Sequence, residues 1–171
     1  FDSQFGNYLV NALRGDLGPS YRQRGKSVQD ILRQQWPYSA RLGLMALVIA
    51  VGIGIPLGVI AALKQNTAID YVSLLAATVG VAVPTFITGL LVLIVFGTNL
   101  GWISISSNNW NTLVPYFAPA IVLGLATMSF ITRITRTTML EVKRQDFVRT
   151  ARAKGVRERG VVVRHMLRNA L

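Results

Sequence analysis

From Tyr71 to Thr132 the chain runs for 62 residues without one Asp, Glu, Lys or Arg. A water-soluble domain spreads charge over every exposed face, so a run of this length is at home in lipid. Lipid offers no water to backbone N–H and C=O groups, and helix then satisfies them within each segment. The sequence therefore predicts an all-α polytopic membrane protein.

Three transmembrane helices are expected, over about residues 42–63, 71–98 and 113–132. The first, "LGLMALVIAVGIGIPLGVIAAL", carries no charge. At a rise of ~1.5 Å per residue it crosses a hydrocarbon core of about 30 Å. Pro56 and Pro84 fall inside the first and second spans, where neighbouring helices tolerate them and they offer kinks. Thr85 and Thr88 are candidates for a polar path, although hydroxyls in spans more often bond their own or a neighbouring helix. Gly54-x-x-x-Gly58 is a small-residue pattern whose plainest meaning is close helix packing.

Charge sets the expected orientation. Arg133 to Arg168 holds 11 Arg/Lys against Glu141, Asp146 and Glu158, whereas Asn99 to Thr112 holds none. Trp102 and Trp110, with Tyr116 nearby, suit a membrane interface. The positive-inside rule puts residues 133–171 on the cytoplasmic side and, after three spans, residues 1–38 outside. Six Arg/Lys against three Asp before Leu42 run mildly against this. The larger C-terminal excess prevails, and Lys64 agrees with it. Arg133-x-x-Arg136 reads as interface snorkelling at the end of the third span.

In residues 1–38, Phe5, Tyr8, Leu9, Ala12 and Leu13 repeat at helical spacing. Gly15–Ser20, "GDLGPS", ends that amphipathic helix. Ser27-x-x-Asp30 has the form of a capping box opening a second short helix, which Pro37 interrupts. Both helices are expected on or near the outer membrane surface. Thr67-x-x-Asp70 is a comparable candidate cap for the second span. Beyond the third span, "TMLEVKRQD" reads as a polar connector and "FVRTARAKG" as a short helix capped by Gly155. After Gly160 an amphipathic helix puts Val163, Met166, Leu167, Ala170 and Leu171 on one face.

The residue inventory excludes several chemistries. No Cys is present, and His165 is the sole His, with no Asp or Glu at ligand spacing. No Ser/His/Asp set, carboxylate pair or Gly-rich phosphate loop occurs. The chain is therefore expected to be no enzyme and to hold no metal or cofactor. A membrane protein whose basic segment binds anionic lipid or nucleic acid is the rival reading. Nucleic acid is disfavoured because Phe147 is the sole Phe, Tyr or Trp from Arg133 onward, which leaves little for base stacking. Thr150, Ala151 and Ala153 instead form a small-residue patch fit for close contact.

"DFVRTARAKGV" resembles the cytoplasmic loop of permease subunits of binding-protein-dependent ABC importers. The superfamily's general form is Glu-Ala-Ala-x-x-x-Gly, and the Arg-Thr-Ala-Arg-Ala-Lys-Gly version is that of its dipeptide/oligopeptide/nickel branch. "FGNYLVNALRGDLGPS", "GIPLGVIAAL" and "VAVPTFITGLLVLIVF" resemble that branch in the same order, so the likeness covers essentially the whole chain. The resemblance implies a type I importer permease fold, here as a fragment truncated at the C-terminus, in a bacterial-type inner membrane. It implies a coupling loop over about 141–160 that docks on an ATPase through Arg149, Thr150, Ala151, Arg152, Ala153, Lys154 and Gly155. The implied partners are a second homologous permease subunit, two cytoplasmic ATPase subunits, an extracytoplasmic solute-binding protein and the bilayer. ATP hydrolysis then belongs to the ATPase subunits, and the cargo is a di- or oligopeptide, nickel or a related small solute.

Overall fold

A computed structural model describes residues 4–103 and 110–171, and every named element among them is helical. The middle of the expected outer loop, residues 104–109, lies outside the described residues. The chain divides into two compact units, residues 1–42 and 43–171.

In the first unit, α1 (Gln4–Leu13) carries the expected apolar stripe, which remains exposed at Phe5, Tyr8 and Leu13. Gly15 and Gly18 take positive φ after it, and the Asp16 carboxylate accepts the Gly18 N–H at 3.0 Å. Gln29 donates to Asp16 and to the Gly15 carbonyl, so the turn is held from two directions. The hydrogen bond from Gln29 holds the Asp16 carboxyl below its ordinary range, with the Gly18 N–H adding to it. Ser27 accepts the Asp30 N–H at 3.2 Å and donates to the Asp30 carboxylate at 2.7 Å, a capping-box variant that opens α2 (Val28–Leu63).

The expected break at Pro37 does not occur, because α2 is one helix of 36 residues. Proline removes one N–H, and the carbonyl it frees, at Arg33, lies on an exposed stretch where another donor can serve it.

In the second unit, α2 is followed by a turn in which Asn66 takes a left-handed φ of 63°. α3 (Ala68–Ala82), α4 (Thr85–Val92) with its π-helical continuation Leu93–Asn99, and α5 (Val114–Lys143) come next. α2 and α5 are each long and apolar enough to cross a membrane. α3 and α4 make a third span only as a bent pair, because the chain turns by 101° between them. The kink expected at Pro84 is a sharp one. Pro84 has no N–H to continue α3, and Val83 before it is extended at φ −81°, ψ 121°. Pro56, by contrast, sits within an unbroken stretch of α2.

Small residues bring α2 against α5. A Cβ on Gly54 would lie 2.9 Å from the Met128 carbonyl oxygen, and one on Gly124 would lie 2.9 Å from that of Ala46. Thr132 donates across this seam to the Gly54 carbonyl at 3.2 Å. In a medium where apolar side chains gain little by leaving lipid, such close backbone approach is what holds helices together.

Candidate coupling helix and the ion pair behind it

The polar connector expected over 138–146 is mostly helix, since α5 continues to Lys143 and only Arg144 and Gln145 separate it from α6 (Asp146–Ala153). The Arg144 N–H donates to the Glu141 carbonyl at 3.3 Å, and the Val148 N–H then donates to that of Gln145 at 3.1 Å. α6 buries one side. Val148 and Ala151 sit in a cluster with Ala62 of α2, Met139 of α5, and Val161 and Met166 beyond the turn. Arg149, Thr150, Arg152, Ala153 and Lys154 are exposed. Of the seven residues expected to form the coupling element, Ala151 is therefore turned inward as support, while Gly155 shapes the turn.

Gly155 has φ +75°. Its N–H bonds the Arg152 carbonyl at 2.9 Å, and the Val156 N–H bonds that of Ala151 at 3.2 Å. These two bonds form a Schellman motif, which needs a left-handed residue at this position. Gly155→Ala is expected to destabilise the turn by about 1–2 kcal/mol, read as faster amide exchange in residues 146–156. The side chain has open space, so the effect is conformational and not steric.

Arg152 braces the same turn by gripping Glu158 with Nη2–Oε1 at 2.7 Å and Nε–Oε2 at 3.2 Å. The hydrogen bond from Arg152 holds the Glu158 carboxyl below its ordinary range against the opposing effect of desolvation. A depressed carboxylate contributes stability above its unfolded pKa and loses it as pH falls through the folded value. Exchange protection of residues 152–158 is thus expected to drop as acidic pH protonates Glu158. That pH step vanishes in Glu158→Gln. Both side chains are over a third exposed, so the effect is small and salt-sensitive.

Beyond Gly160 the expected α-helical face is replaced. α7 (Glu158–Gly160) leads into a π-helical turn, Val161–Leu167, and then α8 (Arg168–Ala170). The wider winding sets Val161 and Met166, five residues apart, on the buried side and leaves Val163 and Leu171 exposed.

Arg136 does not snorkel. Its Nε and Nη2 meet Asp70 Oδ1 at 2.5 Å and Oδ2 at 2.7 Å, and Asp70 is 1% exposed. Asp70 Oδ2 also accepts the Asn66 N–H at 3.0 Å. Thr67 makes no side-chain cap; its hydroxyl bonds the Lys64 carbonyl at 2.6 Å. The sequence held a sign of this pair. Asp70 immediately precedes the 62-residue uncharged run and Arg136 closely follows it. A run that folds back on itself brings those ends together.

At the other end, Phe96 packs on Trp102 and Trp110 meets Tyr116 edge to face at 5.3 Å. Tyr116 donates to the Trp110 carbonyl and is 1% exposed, so it is a packed residue and not an interface anchor. Thr85 is exposed and Thr88 half-buried on α4. Among the described residues no group of three His, Cys, Asp or Glu is placed to hold a metal ion.

Residues 54–171 match the family described as "Binding-protein-dependent transport system inner membrane component". The chain belongs to this family of inner-membrane transport components. It is 41% identical over 169 residues to the oligopeptide transport system permease protein OppB of Salmonella typhimurium, covering 99% of this chain and 55% of that protein. It is 40% identical over 164 residues to the dipeptide transport system permease protein DppB of Bacillus subtilis, covering 96% and 53%. It is 36% identical to the oligopeptide transport system permease protein AppB of Bacillus subtilis, covering 98% and 56%. The chain thus spans about half the length of these curated relatives. Membership places it in a membrane, in keeping with its apolar helices.

Proposed function

We propose that the chain forms part of the permease subunit of an ATP-driven ABC importer for di- and oligopeptides, with α6 as its coupling helix. The observation that carries this is α6 itself. It offers Arg149, Thr150, Ala153 and Lys154 on its exposed side, is anchored by Val148 and Ala151, and joins α5 through two residues. Such an element transmits displacement rather than absorbing it. Residues 133–171 face the cytoplasm in this reading, and residues 1–38 lie outside, where Gly15–Ser20 meets a solute-binding protein. A second permease subunit completes the path, and two ATPase subunits supply the energy. ATP drives the change by binding one arrangement of the assembly more tightly than the other. The bend at Pro84 provides the hinge, Pro56 a second point of compliance, and Thr85 and Thr88 part of the polar lining.

The names of the relatives, oligopeptide and dipeptide permeases, support a peptide cargo. Proteoliposomes carrying the full-length permease and its partner subunits are expected to take up labelled di- and tripeptides only with ATP and the binding protein. ATP-dependent uptake of nickel but not peptide would contradict the peptide assignment while leaving the importer reading intact.

A further inference from the structure

We infer that the Asp70–Arg136 ion pair is the joint that makes α3 move with α5, so that displacement of α6 reaches the bend at Pro84. The inference rests on the importer reading. α5 is one uninterrupted helix of 30 residues leading into α6. α3 is fixed to it at two places. Gly80 packs against Ser129 so closely that a Cβ would collide with its hydroxyl. Two helical turns further along α5, about 10.5 Å at the usual rise, Arg136 grips Asp70 with both prongs. Asp70 in turn holds the Asn66 N–H, tying in the turn between α2 and α3. α3 ends at Ala82, and the 101° bend follows. Two points of attachment on one helix suppress rotation of α3 against α5 and leave the bend as the nearest place where the chain can flex.

A buried pair of this kind is a weak source of net stability, because desolvation offsets much of the attraction. It nonetheless fixes geometry, since both charges must stay in register. Asp70 and Arg136 are positioning residues that act through α3 and α5.

The test measures peptide uptake and ATP hydrolysis in the same proteoliposomes, using full-length permease with its partner subunits. Asp70→Asn is expected to keep ATP hydrolysis while uptake per ATP falls at least about fivefold, the lower end of coupling between distant sites. The exchanged pair, Asp70→Arg with Arg136→Asp, is expected to regain part of that ratio. Arg136→Lys keeps the charge but forfeits the two-pronged grip, and gives an intermediate ratio even if Asp70→Asn fails to assemble. A merely structural role lowers uptake and hydrolysis together, at an unchanged ratio, and that result would overturn the inference. So would a wild-type ratio in Arg136→Lys. Absence of ATP-dependent uptake in the wild-type assembly would instead overturn the transporter reading beneath it.

Discussion

Asp70→Ala is expected to lower the stability of the folded permease by about 1–3 kcal/mol, the usual cost of leaving buried hydrogen-bonding groups without a partner. The carboxylate accepts three N–H groups, from Arg136 Nε, Arg136 Nη2 and Asn66. Alanine removes all three hydrogen bonds at once. It leaves a guanidinium that is only 18% exposed without a counter-charge, and Asn66 in a left-handed turn without its bond. An earlier midpoint in thermal or detergent unfolding of the purified full-length protein reads the effect. Asp70→Asn keeps an acceptor for one donor and falls between wild type and Asp70→Ala. Equal midpoints for Asp70→Ala and wild type would contradict the buried pair.

The second large effect is expected at the seam between α2 and α5. On Gly58 a Cβ would stand 2.7 Å from the Thr132 carbonyl oxygen and 2.7 Å from Thr135 Cβ. One obstacle is backbone, so a side-chain rotation cannot relieve it. Gly58→Val forces the helices apart, weakening the Thr132 to Gly54 bond and loosening the packing of Ala62 with Met139. The expected loss is about 1–3 kcal/mol or more, as for overpacking elsewhere. Gly52→Ala, on the same helix with nothing within 4 Å of its Cβ, is expected to leave stability unchanged or raise it slightly. Paired unfolding measurements on the two variants separate steric crowding from the general effect of losing a glycine.

The helical class, the spans and the Gly155 cap follow from local signals: apolar length, a glycine after a short polar helix, and the sharp change in charge at Arg133. Gly54-x-x-x-Gly58 announced close packing, though not the partner helix. Failures came where one residue's meaning depends on distant ones. Pro37 and Pro84 look alike in sequence, yet the first lies within a helix and the second ends one. Thr67-x-x-Asp70 has the spacing of a local cap, but Asp70 is taken by an arginine 66 residues away. The face beyond Gly160 shifted because a π-helical turn does not follow the α-helical period. Ala151 looks like its neighbours Thr150 and Ala153, and only packing shows that it points inward.

Site-directed crosslinking tests most directly whether the exposed face of α6 contacts an ATPase. In native membranes, the full-length permease would carry a single cysteine at Ala153, which α6 exposes, or at Thr112 beyond the far end of α5 as a control. Products are identified by mass spectrometry. Crosslinking of Ala153→Cys to an ATPase subunit, with none from Thr112→Cys, is the predicted result. A folded, membrane-inserted Ala153→Cys protein that crosslinks only to lipid or nucleic acid, or to nothing, would contradict the coupling role of α6.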